Sequence, residues 1–140
     1  VGVEIRISRA VLSAICVEAR HSGTDECCGL LLSSAPDRGI DAHIPAANVA
    51  GDRNRAFEID PAALIAAYRA ARAGGPAITG CYHSHPGGTL EPSATDAAMA
   101  EARGEIWLIC DRDGQSVSAW QARRGGAIHG VFDPATLAPY

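Results

Sequence analysis

The sequence predicts a mixed α/β (α+β) fold, a mixed β-sheet flanked by helices, and three observations carry that expectation. Short runs of alternating apolar and polar residues read as strands, and longer runs at helical spacing, bounded by capping residues and glycine, read as helices. The two kinds alternate in the order βα-ββ-β-α-β-α-βββ, with no repeat, linker or low-complexity stretch between them. The chain has 140 residues, 47% of them apolar and 20% charged, which suits a single domain over residues 1–140 with one proper core.

VEIRI, residues 3–7, alternates as a half-buried strand does. Ser8 is placed to cap a helix whose apolar residues 11, 12, 15, 16 and 19 share one face until Gly23. CGLLLSS is an apolar strand closed by the turn PDRG, IDAHIPA alternates again, and AFEI reads as a further short strand. Asp60 and Pro61 open a second helix, because aspartate caps well and proline suits the first helical position; Gly74 lies past its end. AITGCYHSH is a strand that stops at Pro86, and ATDAAMAEAR is a short third helix. IWLIC, SVSAWQA and AIHGVF complete the chain as strands with Asp-Gly and Gly-Gly turns between them. Trp107 and Trp120 fall on these strands as core residues.

Net charge is −4, and no lysine- or arginine-rich run appears. Phosphate binding needs a concentrated positive face, so a nucleic-acid partner is not expected. VGVEIRIS lacks the apolar stretch of a signal peptide, and no segment is long and apolar enough to span a bilayer. Five cysteines, at 16, 27, 28, 81 and 110, form no paired spacing and no CxxC. The expectation is a cytoplasmic, reducing setting with no membrane partner.

The chemistry concentrates in GCYHSHPGGTLEPSATD. Side chains two apart on a strand share a face, so His83 and His85 project together. Pro86, Gly87 and Gly88 let the chain double back, and the next helix can deliver Asp96 from its first turn. Two imidazoles and a carboxylate are a normal three-ligand set for catalytic zinc, one ion per chain, with a fourth position left for water. Ser93-x-x-Asp96 is also a helix-capping pattern, and the two roles are compatible. A base is then needed to take the water's proton, and Glu26, just ahead of the apolar strand at Cys28, is the candidate. His21, His43 and His129 have no partner at chelating spacing and read as surface or locally hydrogen-bonded.

Glu26 before Cys28-Gly29, then His83-Ser84-His85-Pro86, then Ser93-x-x-Asp96 resembles the JAMM (MPN-plus) metalloprotease family. The likeness extends from Val3 to about Ala122 and looks most similar to the small stand-alone prokaryotic branch, with no room for the insertions of the eukaryotic deubiquitinases. It implies a curved mixed sheet of JAB/MPN (cytidine-deaminase-like) architecture and a zinc metallopeptidase or isopeptidase. By the same resemblance, His83, His85 and Asp96 would hold the metal and Glu26 would act as general acid/base. Ser93 would stabilise the oxyanion, and Ser84, on the opposite face, would play a supporting or structural part. The implied partner is a ubiquitin-like or sulfur-carrier protein ending in Gly-Gly, cut by peptide or isopeptide hydrolysis. Its tail would add along an edge near residues 57–59 or the loop 87–90.

Other readings stay open at this point. A cysteine hydrolase would use Cys81 or Cys28 with a histidine, although buried packing is the commoner use of such cysteines. A non-catalytic interaction module would keep the fold without the chemistry. A zinc nucleoside deaminase lacks its His-x-Glu…Pro-Cys-x-x-Cys ligands here, and the acidic balance gives no support to a DNA-repair role.

Overall fold

A computed structural model describes residues 2–140. The chain forms β1 (Val3–Ile7), α1 (Arg9–His21), β2 (Cys28–Ser33), β3 (Ala42–Ala46), α2 (Pro61–Arg72), β4 (Ala77–His85), α3 (Ala94–Met99), β5 (Arg103–Asp111), β6 (Val117–Gly126) and β7 (Gly130–Pro139). All seven strands join one sheet in the order β1-β7-β6-β5-β4-β2-β3. The β1–β7 and β4–β5 pairs are parallel and the rest antiparallel. The sheet curls until its two ends meet: Ile40 donates to Arg6 O and Ser8 donates to Ile40 O, both at 2.8 Å. This is the curved mixed sheet with helices that the resemblance implied. Among the described residues no helix is long and apolar enough to cross a membrane.

Strand alternation divides the interior into two packed faces. Tyr82, Leu108 and Cys110 turn toward α1 and join Ile7, Val11, Ile15, Ala19 and Leu31. On the other face Trp107, Ile109, Trp120 and Phe132 pack with Cys28 and Phe57, and Cys81, Leu90 and Ala97 close around them. The parity that gives Tyr82 to α1 therefore gives Cys81, His83 and His85 to the opposite face. Trp107 and Trp120 are 3% and 7% exposed, core residues as expected.

Four local expectations need correction. Ser8 occupies the α1 N-cap position, but its side chain makes no capping bond; its backbone is committed instead to Ile40 O and to accepting Leu12 N. AFEI is not a strand. Only the isolated bridge Asn48–Ile59 forms there, because Phe57 turns inward to 3% exposure. The third helix stops at Met99 rather than running through Arg103. The Glu105 carboxylate gathers the amides of Glu101, Ala102 and Arg103, and Ala102 adopts φ 58°, outside any right-handed helix. The last strand begins at Gly130, after the turn that AIHGVF was expected to span, and runs to Pro139. Its second half pairs with β1, Val3 opposite Ala135, a partner far away in sequence.

Gly80 sets the closeness of β4 to β5. It pairs with Ile106, and a Cβ there would stand 1.8 Å from the Ile106 carbonyl oxygen. Backbone cannot yield as a side-chain tip can, so Gly80→Ala is expected to destabilise the protein by about 3 kcal/mol, measured by urea unfolding. A variant as stable as the wild type would show that the strand pair has slack.

Candidate metal centre

His83 and His85 stand at the end of β4, between β2 and β5, where Cys28 pairs with His83 and Asp111 with His85. The loop after His85 returns as α3. That short helix is fixed by a reciprocal box: Ser93 Oγ accepts the Asp96 amide at 3.0 Å and Asp96 Oδ2 accepts the Ser93 amide at 2.9 Å. The box aims Asp96 back at the strand. Its Oδ2 lies 3.1 Å from Nε2 of His83 and 3.1 Å from Nε2 of His85, and the two nitrogens are 2.9 Å apart. Glu26 completes a group of four ligand atoms within 4.8 Å of one another. All four residues are buried, at 0% to 5% exposure.

The loop between His85 and Ser93 is held by Ser118, by Trp120, expected only as a core residue, and by His129, locally hydrogen-bonded as expected. Ser118 Oγ and Trp120 Nε1 donate to Leu90 O at 2.6 and 3.2 Å, and His129 Nε2 donates to Pro92 O at 3.1 Å. His85 Nδ1 donates to Thr89 O at 3.0 Å, which turns its Nε2 toward the cluster. His21 bonds Val17 O and His43 rests edge-on against Tyr82, so neither joins the site. Ser84 points to the α1 face, where its Oγ accepts the Cys27 amide at 2.9 Å. It braces the Glu26–Cys28 turn and does not enter the cluster.

Electrostatics follow from burial and crowding. Desolvation pushes the Glu26 carboxyl up to about 7, with His85 opposing and Asp96 adding to the rise. Burial alone would raise Asp96 as well, but the His83 and His85 hydrogen bonds overcome it and hold the carboxyl well below the usual range. Burial depresses His83 and keeps it neutral. It acts on His85 too, but contact with Asp96 outweighs it and raises that imidazole. The result is one firmly ionised carboxylate, two imidazoles and one carboxyl poised near neutrality.

The donor set fits a zinc ion. Bonds of about 2.0–2.1 Å in tetrahedral geometry place ligand atoms about 3.3 Å apart, close to the 2.9–3.1 Å separations here. Glu26 Oε1 is buried without a hydrogen-bond partner, as suits a group left open to a ligand rather than a structural carboxylate. The thiol alternative fares worse. Burial pushes Cys28 up to about 12 and Cys81 well above its ordinary range, so both stay protonated and poorly nucleophilic.

Residues 8–123 match the family model described as prokaryotic homologs of the JAB domain. A protein named desampylase from Haloferax volcanii is 38% identical over 90 residues, covering 64% of this chain and 65% of that protein, just under two thirds of its length. Among solved structures, one from Desulfitobacterium hafniense superposes with a TM-score of 0.75 at 23% identity, covering 97% of this chain and 94% of that one. A Salinibacter ruber protein gives 0.68 at 26%, covering 97% and 92%. A JAB1/MPN domain protein from Archaeoglobus fulgidus gives 0.62 at 21%, covering 96% and 99%.

Two outcomes test the site. Zinc added to chelator-treated protein is expected to raise its melting temperature, by about 2.7 kcal/mol of stability at 100 times the dissociation constant; His83→Ala removes the effect, and thiol alkylation leaves it. In metal-free protein Glu26 is raised from 4.5 to about 7, so the folded state holds its proton more tightly than the unfolded chain. Wild-type stability should therefore fall relative to Glu26→Gln as pH rises across that window. A pH-independent difference between the two melting curves would contradict the burial argument.

Proposed function

The chain belongs to the family of prokaryotic homologs of the JAB domain, and on that premise we propose that it is a zinc-dependent hydrolase that releases a ubiquitin-like modifier from the proteins it is joined to. The observation that carries this reading is the convergence of Glu26, His83, His85 and Asp96, all buried, within 4.8 Å. The desampylase relative supports the substrate class, since its name describes removal of a small protein modifier. The bond cut is then an isopeptide or peptide bond at the modifier's C-terminus, in a ubiquitin-like or sulfur-carrier protein ending in Gly-Gly.

His83, His85 and Asp96 would hold the zinc. When bound it would polarise the scissile carbonyl and acidify a water molecule. Glu26, with its carboxyl near neutrality, takes the proton from the attacking water and returns it to the leaving amine. Ser93 Oγ spends a lone pair on the Asp96 amide, and its hydroxyl proton remains available to donate to the oxygen on which negative charge develops. A groove of about 510 Å³, whose lining includes Leu64, Tyr68 and Met99 with the charged Glu58, Glu101, Arg103 and Glu105, is separated from His83 by Phe57 and Trp107, which line it and also contact the His83 ring.

Glu26→Gln is expected to keep its zinc and lose about 10²–10⁴-fold in turnover. The assay is mass measurement of the products from a ubiquitin-like protein joined through its C-terminal carboxyl to a lysine side chain. Because the base must be ionised, the wild-type rate should rise with pH through the Glu26 ionisation, at or below about 7. A fully active Glu26→Gln protein would remove Glu26 from the mechanism.

A further inference from the structure

Asn48 takes no part in the chemistry above, yet every polar position of its carboxamide is engaged. Nδ2 donates to Glu26 O at 2.9 Å and to Ala56 O at 3.0 Å, while Oδ1 accepts the amides of Ala50 and Glu58, both at 3.0 Å. Two donors and two lone pairs are all that a carboxamide has. One side chain thus ties the Glu26 turn to the residues on either side of Phe57. The main chain repeats the tie, with Glu26 N on Arg53 O at 2.7 Å and Val49 N on Glu58 O at 2.9 Å.

Phe57 in turn lies flat against His83, with ring centroids 4.4 Å apart and planes 23° from parallel. A metal-binding imidazole ordinarily has its orientation set through its second nitrogen. His85 obeys this through Thr89 O. His83 does not, because its Nδ1 is buried with no partner. Its ring is fixed by aromatic faces instead, Phe57 stacked on one side and Trp107 edge-on at 5.7 Å.

We propose that Asn48 is a positioning residue for this centre, setting Glu26 and the Phe57 ring together, and that Phe57 replaces a hydrogen bond in orienting His83. The inference rests on the zinc reading of the cluster given above. It makes the base and one ligand depend on a side chain that touches neither functional group.

The test compares Asn48→Asp, Phe57→Leu and Asp60→Ala. The aspartate keeps the acceptor toward Ala50 and Glu58 but loses both donations. Leucine keeps an apolar side chain and loses the planar face. Asp60→Ala frees the α2 cap in the same segment, where Asp60 Oδ1 accepts the Ala62 amide, and serves as the stability control. Zinc affinity is measured by chelator competition, and geometry by the visible spectrum of the cobalt-substituted protein. Asn48→Asp and Phe57→Leu are expected to weaken zinc by about 10–100-fold and to shift the cobalt bands. Asn48→Asp should also lower kcat with little change in KM. Asp60→Ala should melt lower and leave metal affinity and spectrum unchanged. If Asn48→Asp does not fold, Asn48→Gln is read in its place: it keeps a carboxamide but displaces it by one methylene, and the same weaker zinc binding and shifted cobalt bands are expected, while wild-type values overturn the inference. Variants that bind zinc like the wild type, with its spectrum, overturn this inference only; a wild type that binds neither ion overturns the zinc reading and this inference with it.

Discussion

A single carboxylate oxygen, Asp96 Oδ2, is the point on which the site depends. It receives the Ser93 amide at 2.9 Å and faces both imidazole nitrogens at 3.1 Å. Such crowding on a residue 2% exposed is stable only if positive charge or N–H donors surround the oxygen, since an isolated buried carboxylate is costly. The helix cap supplies one donor and the histidines supply the rest of the field. The same interaction therefore starts α3, folds the loop back onto β4 and keeps Asp96 ionised where a cation would sit. The geometry that caps the helix is also one that a cation could use.

The sheet makes that geometry rigid. β4 is paired on both sides, with β2 antiparallel and β5 parallel, so His83 and His85 cannot drift. Its opposite face is filled by Tyr82, whose hydroxyl donates to Glu18 at 2.7 Å under α1. Ser84, between the histidines, grips the Cys27 amide and thereby locates Glu26 one residue earlier. His83 and His85 on β4 and Glu26 just ahead of β2 are thus held by two neighbouring strands joined by direct hydrogen bonds, and Asp96 is brought to them by α3, an arrangement that tolerates little misplacement.

Much of this was legible in the sequence because the signals were local. His-x-His on a strand, a Pro-Gly-Gly reversal and Ser-x-x-Asp at a helix start each have one dominant geometry, and the structure brings those residues together with Glu26. What escaped was non-local. The pairing of β7 with β1 joins opposite ends of the chain, and nothing in FDPATLAPY announces its partner. The early stop of α3 depends on Glu105 reaching back to three amides. AFEI has strand-like composition, but Phe57 is drawn inward by His83 and Trp107. Asn48 offered only a lone carboxamide in PAANVAGD, a signal no different from that of any loop asparagine.

Two imidazoles and a carboxylate, with no cysteine among them, are the proposed ligands of one zinc ion, and X-ray absorption at the zinc edge of the loaded protein distinguishes that set from a thiolate one. The expected spectrum shows a shell of nitrogen and oxygen at about 2.0–2.1 Å with scattering from two imidazole rings. A sulfur neighbour at about 2.3 Å, from Cys28 or Cys81, would contradict it.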